Sequence, residues 1–444
     1  MVFRDHSKDR TSFMGVNHRR ILAVAALSFG LVYFLATGSE SLRARLVGVP
    51  APQASGPVPR LTIAAQNGID ELLGDGGRSL IAWNSKTGLW GGHTKPNWWQ
   101  SALAITTLVR YAERTHSTAP VFQAVLMRTY NRNIFKPHST ARRDFANEFM
   151  DDTGWWGLAW LEASKYELRV RHDRADAARF LDVAEWDASY IASSPKSCGG
   201  IVWALRRPPD TITSAEYVAL TASLASYRSG PGAFHDPARA AVWIADANGA
   251  LAWLRQKGLV NLKRGTVLNG LSANCAHRIG GTITYTEGEV ADALVALGTA
   301  LHDSWYYSRA ETFLRYAISP ASGLTAGGIL QEHCVTEHGR CQRLKYKLDI
   351  PAYKGLFVQA VSDWSAATGR NTFQRFLRRQ ARAVVQYAIA PSRAAACSTV
   401  RSCQFGFAWS APHPGSQPSW VTLGSQESAL DALTAVLPRH RQRG

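Results

Sequence analysis

Asp151 and Asp152 are adjacent in Glu148-Phe-Met-Asp-Asp-Thr-Gly-Trp-Trp, directly ahead of an apolar run rich in tryptophan. Two neighbouring carboxyls resist ionising together, so their pKa values separate and one keeps its proton. One protonated and one ionised carboxyl are what cleavage of a glycosidic bond requires. The acid protonates the leaving oxygen, and the carboxylate attacks the anomeric carbon or activates water. The same pattern has a simpler reading. An N-cap aspartate with an acidic neighbour complements the positive end of a helix dipole and needs no catalytic role. Within a regular helix, adjacent residues point about 100° apart, and a chain not yet helical at Asp151 would relax that limit.

The aromatic residues are open to two readings as well. Fifteen tryptophans occur in 444 residues; most tryptophans pack cores, but flat rings beside acids also stack on sugar faces. Trp99, Trp155, Trp156 and Trp203 are the candidates, and two of the four are expected to line a cleft. Tyr285 stands near Gly288, where chain and ligand can approach closely. Glu287 is either a substrate-contacting acid or half of an ion pair with an arginine.

Helices must position these groups. Trp98, Ala102, Ile105, Val109 and Ala112 recur at helical spacing, as do Val290, Leu294, Leu297 and Leu301, and Tyr306, Ala310, Phe313 and Ala317. Further helices are expected near 61–73, 119–132, 152–167, 176–193, 213–227, 236–255, 353–368, 371–388 and 425–437. Alternating strands are nearly absent, apart from a short hairpin expected near 261–285. The helix after Asp152 carries tryptophan and leucine on several sides and should be buried all round. About twelve helices, alternating between inner and outer positions, predict an all-α (α/α)6 barrel of two concentric layers.

Residues outside the barrel point to export. Ile21–Leu35 is uncharged and follows Arg19-Arg20, so residues 1–38 are expected to be a signal peptide or N-terminal membrane anchor. Residues 39–59 contain the Pro-rich VPAPQASGPVP and are expected to form a linker, with the folded domain at 60–440. Six cysteines fit disulfides outside the cytosol. Proximity pairs Cys334 with Cys341 and Cys397 with Cys403, leaving Cys198 with Cys275. No Cys-x-x-Cys pair or histidine cluster suggests zinc, so neither metal nor cofactor is expected. The net charge of +17 raises an acidic partner, but the basic residues are dispersed and no nucleic-acid motif accompanies them. A monomer, exported and acting on a glycan, is the expectation.

The segments together resemble glycoside hydrolase family 76. They are Leu89-Trp90, Trp98-Trp99-Gln100-Ser101-Ala102, Asp151-Asp152-Thr-Gly-Trp155-Trp156, Gly199-Gly200-Ile201-Val202-Trp203, Thr284-Tyr285-Thr286-Glu287-Gly288, Tyr353-Lys354-Gly355-Leu356-Phe357 and Ser425-Gln426-Glu427-Ser428-Ala429. The resemblance implies an endo-α-1,6-mannanase-like enzyme on an (α/α)6 barrel, hydrolysing or transglycosylating an extracellular or envelope α-mannan. It makes Asp151 the nucleophile and Asp152 the general acid/base of a retaining mechanism, with carboxyls about 5–5.5 Å apart. It also implies sugar contacts from Trp99, Gln100, Trp155, Trp156, Trp203, Tyr285, Glu287 and Lys354. Thr286-Glu287 replaces an Asn-Gln pair of the family, and an asparagine expected in the Thr211–Tyr217 region is missing. The alternatives are a catalytically altered glycan-binding or envelope protein on the same barrel, or a hydrolase of anionic polysaccharide.

Overall fold

Helical periodicity becomes twelve α-helices in the computed structural model, which describes residues 57–74, 81–91, 97–135, 144–332, 349–389, 397, 403–410 and 421–438. In chain order they are α1 (Pro57–Leu73), α2 (Trp98–Thr115), α3 (Pro120–Asn133), α4 (Met150–Tyr166), α5 (Arg174–Ser193) and α6 (Thr211–Ser229), then α7 (Pro237–Gln256), α8 (Thr284–Leu301), α9 (Ser304–Ile318), α10 (Tyr353–Thr368), α11 (Gln374–Ala383) and α12 (Leu423–Thr434). The even-numbered helices touch in sequence, α2 to α4 to α6 to α8 to α10 to α12, and α12 returns to α2. The ring is closed. Each odd-numbered helix packs outside it: α3 on α2, α5 on α4, α7 on α6, α9 on α8, and α1 and α11 on α12. This is the (α/α)6 barrel expected from the sequence.

Composition sorts the layers. Every residue of α12, LGSQESALDALT, is buried, because it meets neighbours on all sides, and most of its side chains are small or apolar. The outer helix α11, QRFLRRQARA, instead buries Leu377, Gln380 and Ala381 on one stripe. Glycines let the inner backbones approach closely. A methyl added at Gly288 would lie 2.8 Å from the Phe357 Cα of α10, and one at Gly355 would lie 2.7 Å from the Ser428 Cα of α12. Between α4 and α5, Phe145 and Trp160 meet at 4.9 Å and Trp160 and Phe180 at 4.8 Å between ring centroids. Side-chain caps start several helices, among them Asp173 on α5, Asp236 on α7, Asp303 on α9 and a Thr422/Ser425 box on α12.

The hairpin expected near 261–285 is two antiparallel hairpins, Val260–Asn261 with Thr266–Val267 and Gly270–Leu271 with Arg278–Ile279. Two more, Lys196–Ser197 with Gly200–Ile201 and Thr325–Ala326 with Ile329–Leu330, escaped the sequence reading. Strands of two residues are too short to show alternation.

Two disulfides form as paired from the sequence. Cys198–Cys275 bridges Cα atoms 5.6 Å apart, and Cys397–Cys403 closes a local loop. Cys334, Cys341 and the apolar segment Ile21–Leu35 lie outside the described residues. Helix α1 begins at Pro57, three residues inside the expected linker. No helix among the described residues is long and apolar enough to cross a membrane.

The barrel buries an unusual number of carboxyls without partners. Among the described residues, Asp187, Glu216 and Glu427 are sealed from solvent with neither oxygen hydrogen-bonded, and Glu287 is equally enclosed with only the Val267 backbone acting on it. Burial pushes each well above the usual carboxylate range, with Asp431 adding to the shift at Glu427. Glu332 is pushed up to about 7 and Asp431 to about 6, again mainly by burial. A carboxyl whose folded pKa is raised holds a proton that the unfolded chain has already lost. Its stabilising contribution is complete below the unfolded pKa near 4 and disappears as pH rises through the folded value. Buried Lys354, lowered to about 7 by burial, acts oppositely but is outnumbered. Thermal melts should therefore give a Tm several degrees higher at pH 5.5 than at pH 8.5; a Tm rising over that interval would show these carboxyls to be ionised. Separately, Cys198–Cys275 spans 77 residues of sequence, and Cys275→Ser in the oxidised protein should cost about 4 kcal/mol from loop-closure entropy, measured by denaturant unfolding.

Candidate active site

Five inner helices begin at one end of the barrel, and their first turns meet there. Trp99 of α2 donates its indole N–H to Asp349, which precedes α10, at 3.2 Å. Tyr285 of α8 stacks on Tyr353 of α10 with ring centroids 4.0 Å apart and planes 10° from parallel. Asp151 and Asp152 of α4 feel the charges of Asp210, at the start of α6, and Asp349 respectively. These are the walls of a cleft lined by acids and flat rings.

The paired aspartates are not the helix cap. Phe149 occupies the cap position of α4 and makes no side-chain cap bond; Asp151 and Asp152 lie in the first helical turn. The chain is already helical there, so the carboxyls diverge. Asp151 Oδ2 accepts the indole N–H of Trp203 at 2.7 Å, and its Oδ1 accepts the Asp152 backbone N–H at 2.9 Å. Asp152 Oδ2 accepts the Asn147 side-chain amide at 2.6 Å. Trp203 is held by short bridges: the backbone N–H of Met150 donates to the Trp203 carbonyl at 2.8 Å, and the Phe149 ring packs on the indole at 5.4 Å.

Burial and charge act on both carboxyls. Burial, with Asp152 and Asp210 beside it, pushes Asp151 well up, while the Trp203 and Asp152 N–H groups pull it back. Burial pushes Asp152 up to about 7; the Asn147 amide opposes this and the negative charges of Asp349 and Glu148 reinforce it. Each carboxyl thus has hydrogen-bond donors that favour its anion and two acidic neighbours that favour its proton, and burial raises both. The pair is arranged to keep a proton near neutral pH.

Of the eight residues expected to touch sugar, the structure brings three to the cleft with the aspartates: Trp99, Trp203 and Tyr285. Trp155 lies beneath them, its ring 6.4 Å from that of Trp99. The other four face elsewhere. Trp156 is fully buried between Trp98 at 4.8 Å and Phe145 at 4.6 Å; it follows Trp155 by one residue and so turns about 100° into the wall. Gln100 is buried and accepts the Asn97 amide at 2.6 Å, bracing the start of α2. Glu287 is enclosed near the Val267 backbone, and no basic residue among the described ones pairs with it. Lys354 is buried with its Nζ 4.5 Å over the Phe407 ring and 4.2 Å over Trp409, donating to the Phe407 carbonyl. It fastens the 403–410 segment to α10.

The sequence reading missed Asn147, Asp210, Asp349 and Glu216. A signal existed for two of them: each acid stands at or just before the start of an inner helix, as Asp151 does. Glu216 gave none, since a glutamate inside a helix normally faces water. It fits because Gly154 has no side chain; a methyl there would meet Glu216 Oε2 at 2.5 Å.

Solved structures share this architecture. The GH76A α-1,6-mannanase from Salegentibacter sp. HEL1_6 is 18% identical, superimposes with a TM-score of 0.62, and covers 85% of this chain and 98% of its own. A variant of it with two adjacent aspartates changed to asparagine is described as inactive and as complexed with α-1,6-mannotriose. Dfg5 from Chaetomium thermophilum, in complex with glucosamine, is 18% identical with a TM-score of 0.63 over 87% of this chain and 93% of its own. No curated protein matches the chain in sequence. The family model for glycosyl hydrolase family 76 matches residues 80–443. With Asp151, Asp152 and the rings around them all inside that match, the chain belongs to glycosyl hydrolase family 76.

Proposed function

We propose that this protein is a retaining, endo-acting glycoside hydrolase that cleaves or transglycosylates an α-1,6-mannan-type glycan outside the cytoplasm. Asp151 is the nucleophile and Asp152 the general acid/base. The observation that carries the reading is the adjacent pair of carboxyls with raised pKa in the first turn of α4, Asp151 accepting two N–H groups and Asp152 the Asn147 amide. The inactive doubly substituted Salegentibacter enzyme with its bound α-1,6-mannotriose supports the same pair and the same class of sugar.

The chemistry follows from those environments. The Asp151 carboxylate attacks the anomeric carbon while Asp152 gives its proton to the departing oxygen, so the glycosidic bond breaks as a glycosyl ester forms. Asp152, now ionised, takes a proton from water or an acceptor hydroxyl, which attacks the anomeric carbon and frees Asp151. The Trp203 N–H holds Asp151 in one rotamer. The Tyr285–Tyr353 stack and Trp99 offer flat faces to the sugar. In this reading residues 1–38 direct export, the Pro-rich segment is a spacer, and the barrel acts as a monomer.

Two sets of variants test the assignment. Asp151→Asn should abolish cleavage of α-1,6-mannan and of an activated aryl mannoside alike. Asp152→Asn should slow mannan cleavage by about 10²–10⁴-fold yet largely preserve the first step on the aryl mannoside, whose leaving group needs little protonation. Mannan cleavage at the wild-type rate by either variant would refute the roles. Trp203→Phe keeps the ring but removes a donor from a carboxylate, a loss of about 1.5–3 kcal/mol to the anion. Its acid limb in the kcat/KM–pH profile should move to higher pH, with about a tenfold deficit at pH 5 that narrows by pH 8. An unmoved acid limb would show that this hydrogen bond does not set the ionisation of Asp151.

A further inference from the structure

The barrel is hollow at its other end. From Trp155, Leu103 and Leu356 a chamber of about 720 Å³ runs between α2, α4, α6, α8 and α10 toward their C-termini. None of the acids or aromatic side chains described in the cleft above lines it, apart from Trp155. Small residues create the space: Ser223 and Ser226 on α6, Ala296 on α8 and Ala360 on α10 occupy lumen positions where leucine would fill the core.

Its charges are built in excess of what they neutralise. Arg110 pairs with Asp363 at 2.6 Å and Lys165 with Glu162 at 2.7 Å. Arg169 acts on Glu113. Glu289 and Asp292, one turn apart on α8, have no described ion-pair partner, although the charge of Arg110 acts on both and that of Lys165 on Asp292. Glu289 is 5% exposed, lines the chamber, and its Oε1 has no hydrogen-bond partner among the described residues. A buried acid short of partners either keeps its proton or meets a cation.

We propose that this chamber binds a small organic cation bearing primary ammonium groups, held by Glu289 and Asp292. An ammonium between these carboxylates makes charge-assisted hydrogen bonds, and the Trp155 and Tyr227 rings lining the same space suit its charge and methylenes. A divalent metal fits less well. Among the described residues, no third carboxylate or histidine joins Glu289 and Asp292 at metal-ligating spacing, and the volume suits a small molecule rather than an ion.

Putrescine and spermidine are the probes, titrated calorimetrically into the full chain, with succinate as an anionic control and thermal melts alongside. The protein's charge of +17 disfavours nonspecific uptake of polycations, so saturable binding reports a specific site. Binding of at least one amine with a matching rise in Tm is expected, and none of succinate. Glu289→Gln and Asp292→Asn should each weaken it about tenfold or more, the double variant should abolish it, and Ser223→Leu should block it sterically. Unliganded melts of the amide variants should match or exceed wild type, since each removes a buried unpaired acid. The cleft also holds acids, so Asp151→Asn/Asp152→Asn is the deciding control and should bind the amine as wild type does. Absence of binding, equal binding by the Glu289/Asp292 double variant, or loss of binding in the Asp151/Asp152 variant would each overturn the proposal. None of these outcomes depends on the enzyme's activity toward mannan.

Discussion

Close approach of the inner helices is the constraint from which the rest follows. A ring of six helices closes only if each sits near two inner neighbours and one or more outer ones, and side-chain bulk sets the distance. Gly288 against Phe357 and Gly355 against Ser428 remove that bulk where α8, α10 and α12 meet. Tyr285 then reaches Tyr353 at stacking distance, a contact that a wider ring would break. Because Trp99, Asp151, Asp210, Tyr285 and Tyr353 all stand in or just before first turns of inner helices, drawing those helices together draws the chemistry together. The cleft is a consequence of helix packing.

Parallel helices with a common polarity also sort charge along the barrel. Helix N-termini carry partial positive charge, which stabilises carboxylates placed within the first turn. Burial works against ionisation at the same place. Asp151 and Asp152 each accept N–H groups that partly offset burial and their acidic neighbours. Asp187 and Glu427 accept no hydrogen bond from the described residues, and burial pushes both well up. Different carboxyl environments thus arise from one fold through local donors and neighbouring charge.

How much of this was legible in the sequence depends on the range of the interaction. Helix number and order, the closed two-layer architecture and the two described disulfides follow from local periodicity and spacing, and all appear. Asp151 and Asp152 were legible because two acids before Gly-Trp-Trp are unusual in themselves. Their helical position was not, because a helix beginning at Met150 without a side-chain cap leaves no sequence mark. Side-chain direction was the least legible feature. Trp155 and Trp156 look equivalent in the chain, yet one lies in the lumen and the other in the wall. Lys354 and Glu287 were expected in the cleft from the motifs that carry the family resemblance, but the barrel walls enclose both. Lys354 is tolerated there by two aromatic rings and a carbonyl, partners far away in sequence.

The two ends of the barrel can be compared on the same physical terms. Each holds several acids, aromatic rings and a roof or floor containing Trp155, but the sign of the helix dipole reverses between them. At the N-terminal end the dipoles stabilise anions, and two N–H donors meet the Asp151 carboxylate. On the chamber side, α8 places Glu289 and Asp292, its sixth and ninth residues, on the lumen wall. A fold that needed only a packed interior would have no use for acids there. The ion pairs Arg110–Asp363 and Lys165–Glu162 show that the barrel can neutralise such groups internally where it has a cation to hand. That it leaves two acids over, beside a cavity kept open by serine and alanine, is the reason to regard the chamber as a site rather than a packing defect.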